Sequence, residues 1–562
     1  MPPAPSRTRE WNVLGGADLP RQCERVLKLG PKFCAPVKPD KTELLALVRK
    51  TATRAHPQEV DRCISCAVDT LPATASPCAR FKTNSVVEPL RERNLKLLQT
   101  DKEGGFAVLP SALYYRKAQE AMDDNFVRTN HVPRSLRKRA IELCEKRHTW
   151  TQPVGRFIQK ALSALEIEDP FLVFRPSDVS DFLKGLSPRS RCVFSLDVKD
   201  LYYSLPQDEL IEVVSEGIDR YGTVRFQNQV GVDVSTFPAV LRLYLQSTTV
   251  EFLGGVYLQR AGVCIGSCVA PVLSNLLLAR YDRRLERALR DMGVRRVFRF
   301  VDDYLIIFDT ENVAVDERTE HITRIFQRTL SPFTLTRELP VEHRLRFLDL
   351  ELAIEPDHLC WIYAPRSKKG LLPFSSAHSK LVKRSIALSA MENAVKRSCP
   401  NQVQRSLLSQ VLRLKTAGFP VQLIRGLAEV LLGKLHKKHE EAPRHDRSSR
   451  IAAIPYIHAV SHNIKKVAQR AGVSVVFTAP NKLGGLCRRV NSEEAAGSGC
   501  NKKHLNKLNI QMHGRNTNII KFTDSLEVFL CKVENWKKSI KGDNAAMFER
   551  LASTLSGSDH DG

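Results

Sequence analysis

The sequence has no run close to the roughly 18 uninterrupted apolar residues that a membrane-spanning helix needs. Its first residues, Met1-Pro2-Pro3-Ala4-Pro5-Ser6-Arg7, carry no apolar core after their charge, so a secretory signal is not expected and a reducing compartment is. No internal repeat is visible. Acidic residues are in deficit: 61 Asp and Glu stand against 86 Lys and Arg, a formal net charge of +25. That field favours polyanions, nucleic acid ahead of an anionic membrane. Zinc spacing is also lacking. Fourteen cysteines run from Cys23 to Cys531, but Cys63-Ile64-Ser65-Cys66 is a lone CxxC with Cys78 twelve residues on, and no second pair follows. It falls in a helix-like run from Val60 to Leu71, so buried thiols are preferred to a metal site.

What is present is ordinary for a folded chain. Apolar residues make up 43% and charged residues 26%, which excludes disorder or fibrous repeats as the overall class. A length of 562 residues points to three or four domains. Residues 1 to 80 read as helical around a loop at Gly30-Pro31-Lys32-Phe33. Residues 81 to 190 mix helical runs with a glycine loop at Gly104-Gly105. From 191 to 365, short β-rich runs alternate with amphipathic helices. From 366 to 480 the pattern is helical and basic, with 15 Lys/Arg against 5 Asp/Glu between Ser375 and Arg450. Beyond about Pro480 the chain turns polar and ends in a Ser/Gly/Asp stretch, expected to be a floppy tail.

Three segments carry chemistry. Arg296-Val297-Phe298-Arg299-Phe300-Val301-Asp302-Asp303-Tyr304-Leu305-Ile306-Ile307-Phe308 reads as a β-hairpin with two carboxylates at its turn. Asp is a common turn residue, which is the plain alternative. The apolar flanks argue against it. Two carboxylates about 4 Å apart near such a core repel by on the order of 4 kcal/mol at an effective dielectric near 20, and a divalent metal relieves this. Upstream, Cys192-Val193-Phe194-Ser195-Leu196-Asp197 is a strand ending at a third acid, with Tyr202 at the start of the next helix. Three carboxylates on neighbouring strands suit a two-metal site for phosphoryl transfer. Between them, Gly262-Val263-Cys264-Ile265-Gly266-Ser267 is a loop whose glycines allow close approach to a ligand. Pro271 then suits the first turn of a helix whose Leu277, Tyr281, Leu285 and Leu289 form one buried face.

In this order the segments resemble motifs A, B and C of a reverse transcriptase palm. Leu335-Thr336-Arg337-Glu338 falls where motif D ends, and Phe347-Leu348-Asp349-Leu350-Glu351-Leu352 looks like the motif E hairpin. Val301 before the acid pair and Tyr202 after Asp197 point to a DNA-making enzyme. Thr100-Asp101-Lys102-Glu103-Gly104-Gly105 resembles the fingers motif of Penelope-like retroelement reverse transcriptases, which are akin to telomerase. Gly30-Pro31-Lys32-Phe33, Ile454-Pro455-Tyr456 and Pro480-Asn481-Lys482-Leu483 match the same family, so the resemblance covers roughly residues 10 to 490.

The resemblance implies an α+β right-hand polymerase. Its parts would be a helical N-terminal extension (1–80), fingers (81–190), a palm with an antiparallel sheet (191–365), a basic helical thumb (366–490) and a polar tail (491–562). It implies an RNA-directed DNA polymerase of a retrotransposon, with two Mg²⁺ ions that Mn²⁺ can replace, and with an RNA template, a DNA primer and dNTPs as partners. Asp197, Asp302 and Asp303 would be the catalytic metal ligands, Asp303 the weaker. Tyr202 would exclude a 2′-hydroxyl, Lys102 would meet the triphosphate, and Gly266 and Ser267 would contact template and nucleotide. Lys380, Lys383, Arg384, Lys396 and Arg397 of the thumb would meet the nucleic-acid backbone. The implied location is nuclear or cytoplasmic, the nucleus in preference.

The chain departs from the family in two ways. The Pro-Lys-x-His-Lys segment and the arginine-bearing fingers motif do not precede motif A, leaving Arg156 and Arg175 as the nearest arginines. No Tyr-Ile-Gly follows Cys500 and His504, so an endonuclease-lacking copy is implied. A catalytically decayed nucleic-acid-binding relic of the same fold is the alternative.

Overall fold

A computed structural model describes residues 11–13, 19–36, 39–71, 84–100, 104–131, 134, 151–187, 189–310, 314–365, 370–436, 450–458 and 460–492. Lys102, Cys78, the stretch 135–150, and Cys500 and His504 in the tail lie outside them. The fold mixes helices and sheets, and the chain divides into two compact units. Among the described residues no helix is long and apolar enough to cross a membrane.

The unit built mainly from 115–347 holds a four-stranded antiparallel sheet in the order Leu335–Glu338, Arg191–Val198, Asp303–Asp309, Val294–Phe300. The two central strands form where the sequence runs mainly apolar. Side chains alternate between faces along a strand. Cys192, Phe194, Leu196 and Val198 therefore join Tyr304, Ile306 and Phe308 in one large core, together with the helices Gln207–Tyr221 and Ala270–Ala288. The register pairs Cys192 with Phe308, Phe194 with Ile306 and Leu196 with Tyr304, so the core face is continuous across the sheet. Leu277, Tyr281 and Leu285 on the second helix, and Leu289 just past its end, are all buried as their spacing predicts, and Pro271 lies in the first turn. The odd-numbered neighbours face the other way, where Phe182 sets its ring edge-on to Phe298 at 5.3 Å.

The other unit is built mainly from 1–114 and 361–493, and its described residues include three small cores. Trp11–Val13 pairs in parallel with Phe106–Pro110, which pairs antiparallel with Leu95–Gln99. The helix Gly485–Asn491 packs there, and Asn491 both accepts from the Leu97 N–H and donates to the Leu97 carbonyl at 2.9 Å. Arg450–Pro455 and Val473–Thr478 form a parallel pair joined by the helix Ser461–Arg470 and packed on the helices Lys41–Ala52 and Val60–Asp69. Three helices, Lys380–Arg397, Val403–Thr416 and Val421–His436, share the third core.

These strands correct two readings of the sequence. Residues 1 to 80 are not wholly helical, because Trp11–Val13 is a strand. Residues 366 to 480 are not wholly helical either, because Val473–Thr478 is an alternating, β-branched run that the basic helices around it masked. The described cysteines are free thiols, but the CxxC is not a buried pair: Cys63 is buried and Cys66 is exposed on the helix surface.

Candidate active site

Strand register assembles the acids. Asp197 is the penultimate residue of its strand and lies opposite Asp303, the first residue of the second hairpin strand. Directly opposed residues of an antiparallel pair hold their Cβ atoms about 4.5–5.5 Å apart on one face. By alternation, that face is the one turned away from the large apolar core. Asp302 occupies the hairpin turn, and its carbonyl accepts from the Val198 N–H at 3.0 Å, which ties the turn to the Asp197 strand. Thr336 pairs with Asp197 from the other side, its hydroxyl 3.5 Å from Asp197 Oδ2.

One carboxylate oxygen from each of Asp197, Asp302 and Asp303 lies within 4.8 Å of the other two, and all three residues are half-buried. At that separation each like-charged pair costs on the order of 3–4 kcal/mol for an effective dielectric near 20, less where water reaches it. Hard oxygen donors in such a group suit a divalent cation of the Mg²⁺ or Mn²⁺ type. The cluster can therefore hold a metal, and the sequence reading of three converging acids agrees with their placement.

Tyr202 lies in the short helix Leu201–Ser204 that follows the Asp197 strand. Burial, then the nearby Asp302 charge, raises its hydroxyl above the usual tyrosine range, while a hydrogen bond with Ser274 opposes this. The glycine loop packs against that helix. The Val263 N–H donates to the Tyr202 carbonyl at 2.7 Å, and the Gln207 amide donates to the Gly262 carbonyl at 2.9 Å. Gly262 has φ 75, and a Cβ there would stand 2.2 Å from the Tyr202 carbonyl oxygen. Its close approach is thus to the chain's own backbone, not to a ligand as the sequence suggested.

Gly266, also left-handed at φ 86, is exposed. Ser267 is buried, with its hydroxyl 2.9 Å from Tyr244 Oη and accepting from the Val269 N–H at 3.2 Å. Its side chain supports the loop from within, which the sequence did not indicate. Sequence reasoning also missed what lies under this loop. A Cβ on Gly155 would stand 2.9 Å from Tyr244 Oη and 3.3 Å from Cys268 Sγ, so the helix Thr151–Leu162 abuts the loop. Arg156, next in that helix, is exposed, and its charge is felt at Cys268, whose thiol burial raises and Arg156 lowers. Arg175 is instead paired with Asp178 at 3.6 Å.

The five basic residues on the helix Lys380–Arg397 separate into two groups. Lys380 and Arg384 are exposed, and Lys383 stands 4.7 Å over the Phe374 ring. Burial, then Lys380, pulls Lys383 below the usual lysine range. Lys396 pairs with Glu392 at 2.6 Å, and Arg397 with Asp349 at 3.3 Å. The field at the start of this helix has further sources. His462 is held below the usual histidine range by burial and then by Lys380, Lys465 and Lys466, and His378 by burial and then by Lys482 and Lys383. The lysines at 465, 466 and 482 are far from Lys380 in sequence, so only folding reveals the patch.

No family model and no curated protein matches the chain. Similar solved structures include Candida albicans telomerase in complex with a fragment of telomeric RNA, at 12% identity and a TM-score of 0.38, covering 60% of this chain and 62% of that one. Apo telomerase from Candida tropicalis is similar at 11% identity and a TM-score of 0.37, over 77% of this chain and 84% of that one. The Sicinivirus 3Dpol RNA-dependent RNA polymerase is similar at 12% identity and a TM-score of 0.28, over 46% of this chain and 54% of that one. This chain thus spans less than two thirds of the Candida albicans telomerase chain. These three structures are two telomerases and one RNA-dependent RNA polymerase.

Proposed function

We propose that the chain is a nucleic acid polymerase, and more narrowly an RNA-directed DNA polymerase of the Penelope-like retroelement kind with a right-hand architecture. One observation carries the reading: strand register converges Asp197, Asp302 and Asp303 into a single cluster with Tyr202 beside it. The order of the sequence motifs supports the narrower form.

In this reading Asp197 and Asp302 would hold two Mg²⁺ ions, with Asp303 as the third donor. The ions would supply activation of the primer 3′-hydroxyl and neutralise charge on the departing pyrophosphate. The protein's own contribution is positioning, since phosphoryl transfer needs little covalent help. Tyr202, fixed by Ser274 and by the Val263 hydrogen bond, presents its ring to the sugar of the incoming nucleotide. Gly266 offers exposed backbone to nucleotide and template, while Ser267 braces the loop through Tyr244. Lys102 is the proposed triphosphate contact from the fingers. Lys380, Lys383 and Arg384, with Lys465, Lys466 and Lys482, make a field suited to a phosphate backbone, where Lys396 and Arg397 are already engaged with acids.

Primer extension by the purified chain, with RNA template, DNA primer, dNTPs and Mg²⁺, tests the reading. Absence of any product at millimolar nucleotide, with Mn²⁺ as well as Mg²⁺, would leave the decayed relic in its place. Tyr202→Ala is expected to lower the ratio of dNTP to NTP efficiency by roughly 10–200-fold, the range one added group in a shaped pocket commands. An unchanged ratio removes Tyr202 as the sugar gate.

Arg156 is proposed to grip the triphosphate in place of the absent fingers arginine. It follows Gly155, which abuts Tyr244 and Cys268 under the glycine loop, and a planar guanidinium fork suits phosphate oxygens. Losing a charge-assisted contact costs roughly 1.5–3 kcal/mol, so Arg156→Ala should raise the nucleotide KM by about one to two decades. Steady-state kinetics showing the same KM for wild type and variant would reassign that role.

A further inference from the structure

The turn that carries Asp302 and Asp303 rests on a buried ionic network. The Arg299 side chain is 0% exposed and lies between Asp169 and Asp282, themselves 1% and 0% exposed. Its Nε donates to Asp282 Oδ2 at 2.5 Å, and its Nη2 donates to Asp169 Oδ2. Its Nη1 donates to Asn275 Oδ1 at 3.2 Å and to the Val301 carbonyl at 3.0 Å. The network is braced from outside. The Tyr304 hydroxyl donates to Asp282 Oδ1 at 2.8 Å, and Asp169 Oδ1 accepts the Phe171 and Leu172 N–H groups at 2.9 Å. The Arg299 backbone is held as well, donating to the Phe171 carbonyl at 2.7 Å and accepting from the Val173 N–H at 2.9 Å.

The Val301 contact is the informative one. Val301 immediately precedes the acid pair and has φ 60. A β-branched residue rarely adopts the left-handed region, and it persists there only where its surroundings over-determine it. The hairpin itself does not demand a valine at this position. The group that reaches the Val301 carbonyl from the interior is the Arg299 guanidinium, whose other donors go to two buried carboxylates and Asn275.

We propose that Arg299 is a positioning residue for the candidate metal site. Clamped by Asp169 and Asp282, it holds the Val301 carbonyl and thereby keeps the turn in the conformation that directs Asp302 and Asp303 toward Asp197. This rests on the reading of the three acids as a metal centre. Lysine cannot replace arginine here, because a point charge on a flexible stem cannot reach both acids and the carbonyl in one plane. Glycine at 301 removes the need for the hold, since it takes positive φ as readily as negative.

The test uses the full chain. Mn²⁺ binding is followed by the electron paramagnetic resonance signal of free Mn²⁺, and the Mg²⁺ dependence of primer extension is measured alongside. Arg299→Lys is expected to weaken Mn²⁺ binding and raise half-saturating Mg²⁺ by about 10-fold or more, the usual effect of disturbing a group that orients metal ligands. Primer–template affinity should not move. Val301→Gly should recover most of the loss in the Arg299→Lys background.

A second variant covers the case in which Arg299→Lys does not fold. Arg299→Met combined with Asp169→Asn and Asp282→Asn removes the buried charges together, which leaves no unpaired ion inside. It still lacks the tether, so the same weakening of Mn²⁺ binding is expected. Wild-type Mn²⁺ affinity in either folded variant overturns the proposal, as does an equal effect of Val301→Gly in both backgrounds. Asp302→Ala separates this outcome from failure of the underlying reading. If Asp302→Ala keeps Mn²⁺ binding and extension, the acids are not the metal site. If it loses both while the Arg299 variants lose neither, only the positioning role falls.

Discussion

Asp302→Ala and Asp197→Ala are each expected to cut metal-dependent primer extension by about a thousandfold or more. In the proposed reading, a metal centre there would supply several kcal/mol of charge stabilisation, and each 1.4 kcal/mol is a decade in rate. The more diagnostic result concerns stability. The three carboxylate oxygens lie within 4.8 Å of one another, so in metal-free buffer they repel. Removing one should leave the melting temperature unchanged or raise it. In Mg²⁺ or Mn²⁺ the order should invert, because a cation that binds only the folded state stabilises the wild type and not the variant. Thermal scans with and without metal check this. A variant that melts lower than wild type in metal-free buffer and retains the metal-induced increase would show that the acids serve the fold and not a cation.

Gly262→Ala is expected to be among the most damaging single substitutions in its unit. An alanine Cβ would sit 2.2 Å from the Tyr202 carbonyl oxygen and 2.7 Å from two backbone atoms of Tyr203, none of which can move by a rotamer change. The φ of 75 adds the ordinary left-handed penalty of about 1–2 kcal/mol for an L-residue. Together these place the cost in the upper tail for point mutants, about 4 kcal/mol or more. Any folded fraction should have Tyr202 displaced and extension reduced. Gly254 provides the control. It has φ 74 and open space around its missing Cβ, so Gly254→Ala should cost only the conformational penalty. Equal melting temperatures for the two variants would contradict the packing of the glycine loop on the Tyr202 helix.

Both predictions concern features that the sequence showed only in part. The acid pair at a hairpin turn was legible because two apolar runs flank it, and Phe300 does pair with Asp303 across that turn. The helix after Pro271 was legible because its leucines and Tyr281 recur every four residues. Gly262 and Gly266 were legible as glycines in a loop, but not what each is for: one is pressed against Tyr202 and the other faces solvent. Arg299 reads in the sequence as one more cation in a strand, and nothing local marks it as wholly buried between two acids. The strand Trp11–Val13 was missed because three residues carry no periodicity, and it exists through its pairing with Phe106–Pro110.

By itself, then, the sequence determined the local elements of the site: a strand ending near Asp197, a hairpin turning at Asp302, a glycine loop leading into a helix, and an excess of positive charge. These follow from backbone sterics and side-chain periodicity, which act over a few residues. Only the tertiary structure decided that Asp197 faces Asp303, that Arg299 reaches the Val301 carbonyl, that Gly155 abuts Tyr244 and Cys268 under the glycine loop, and that Lys465 and Lys466 act with Lys380 on His462 and Lys482 with Lys383 on His378. Those pairings join residues far apart along the chain. They are selected by which faces can be buried together, and no window of neighbouring residues contains that information.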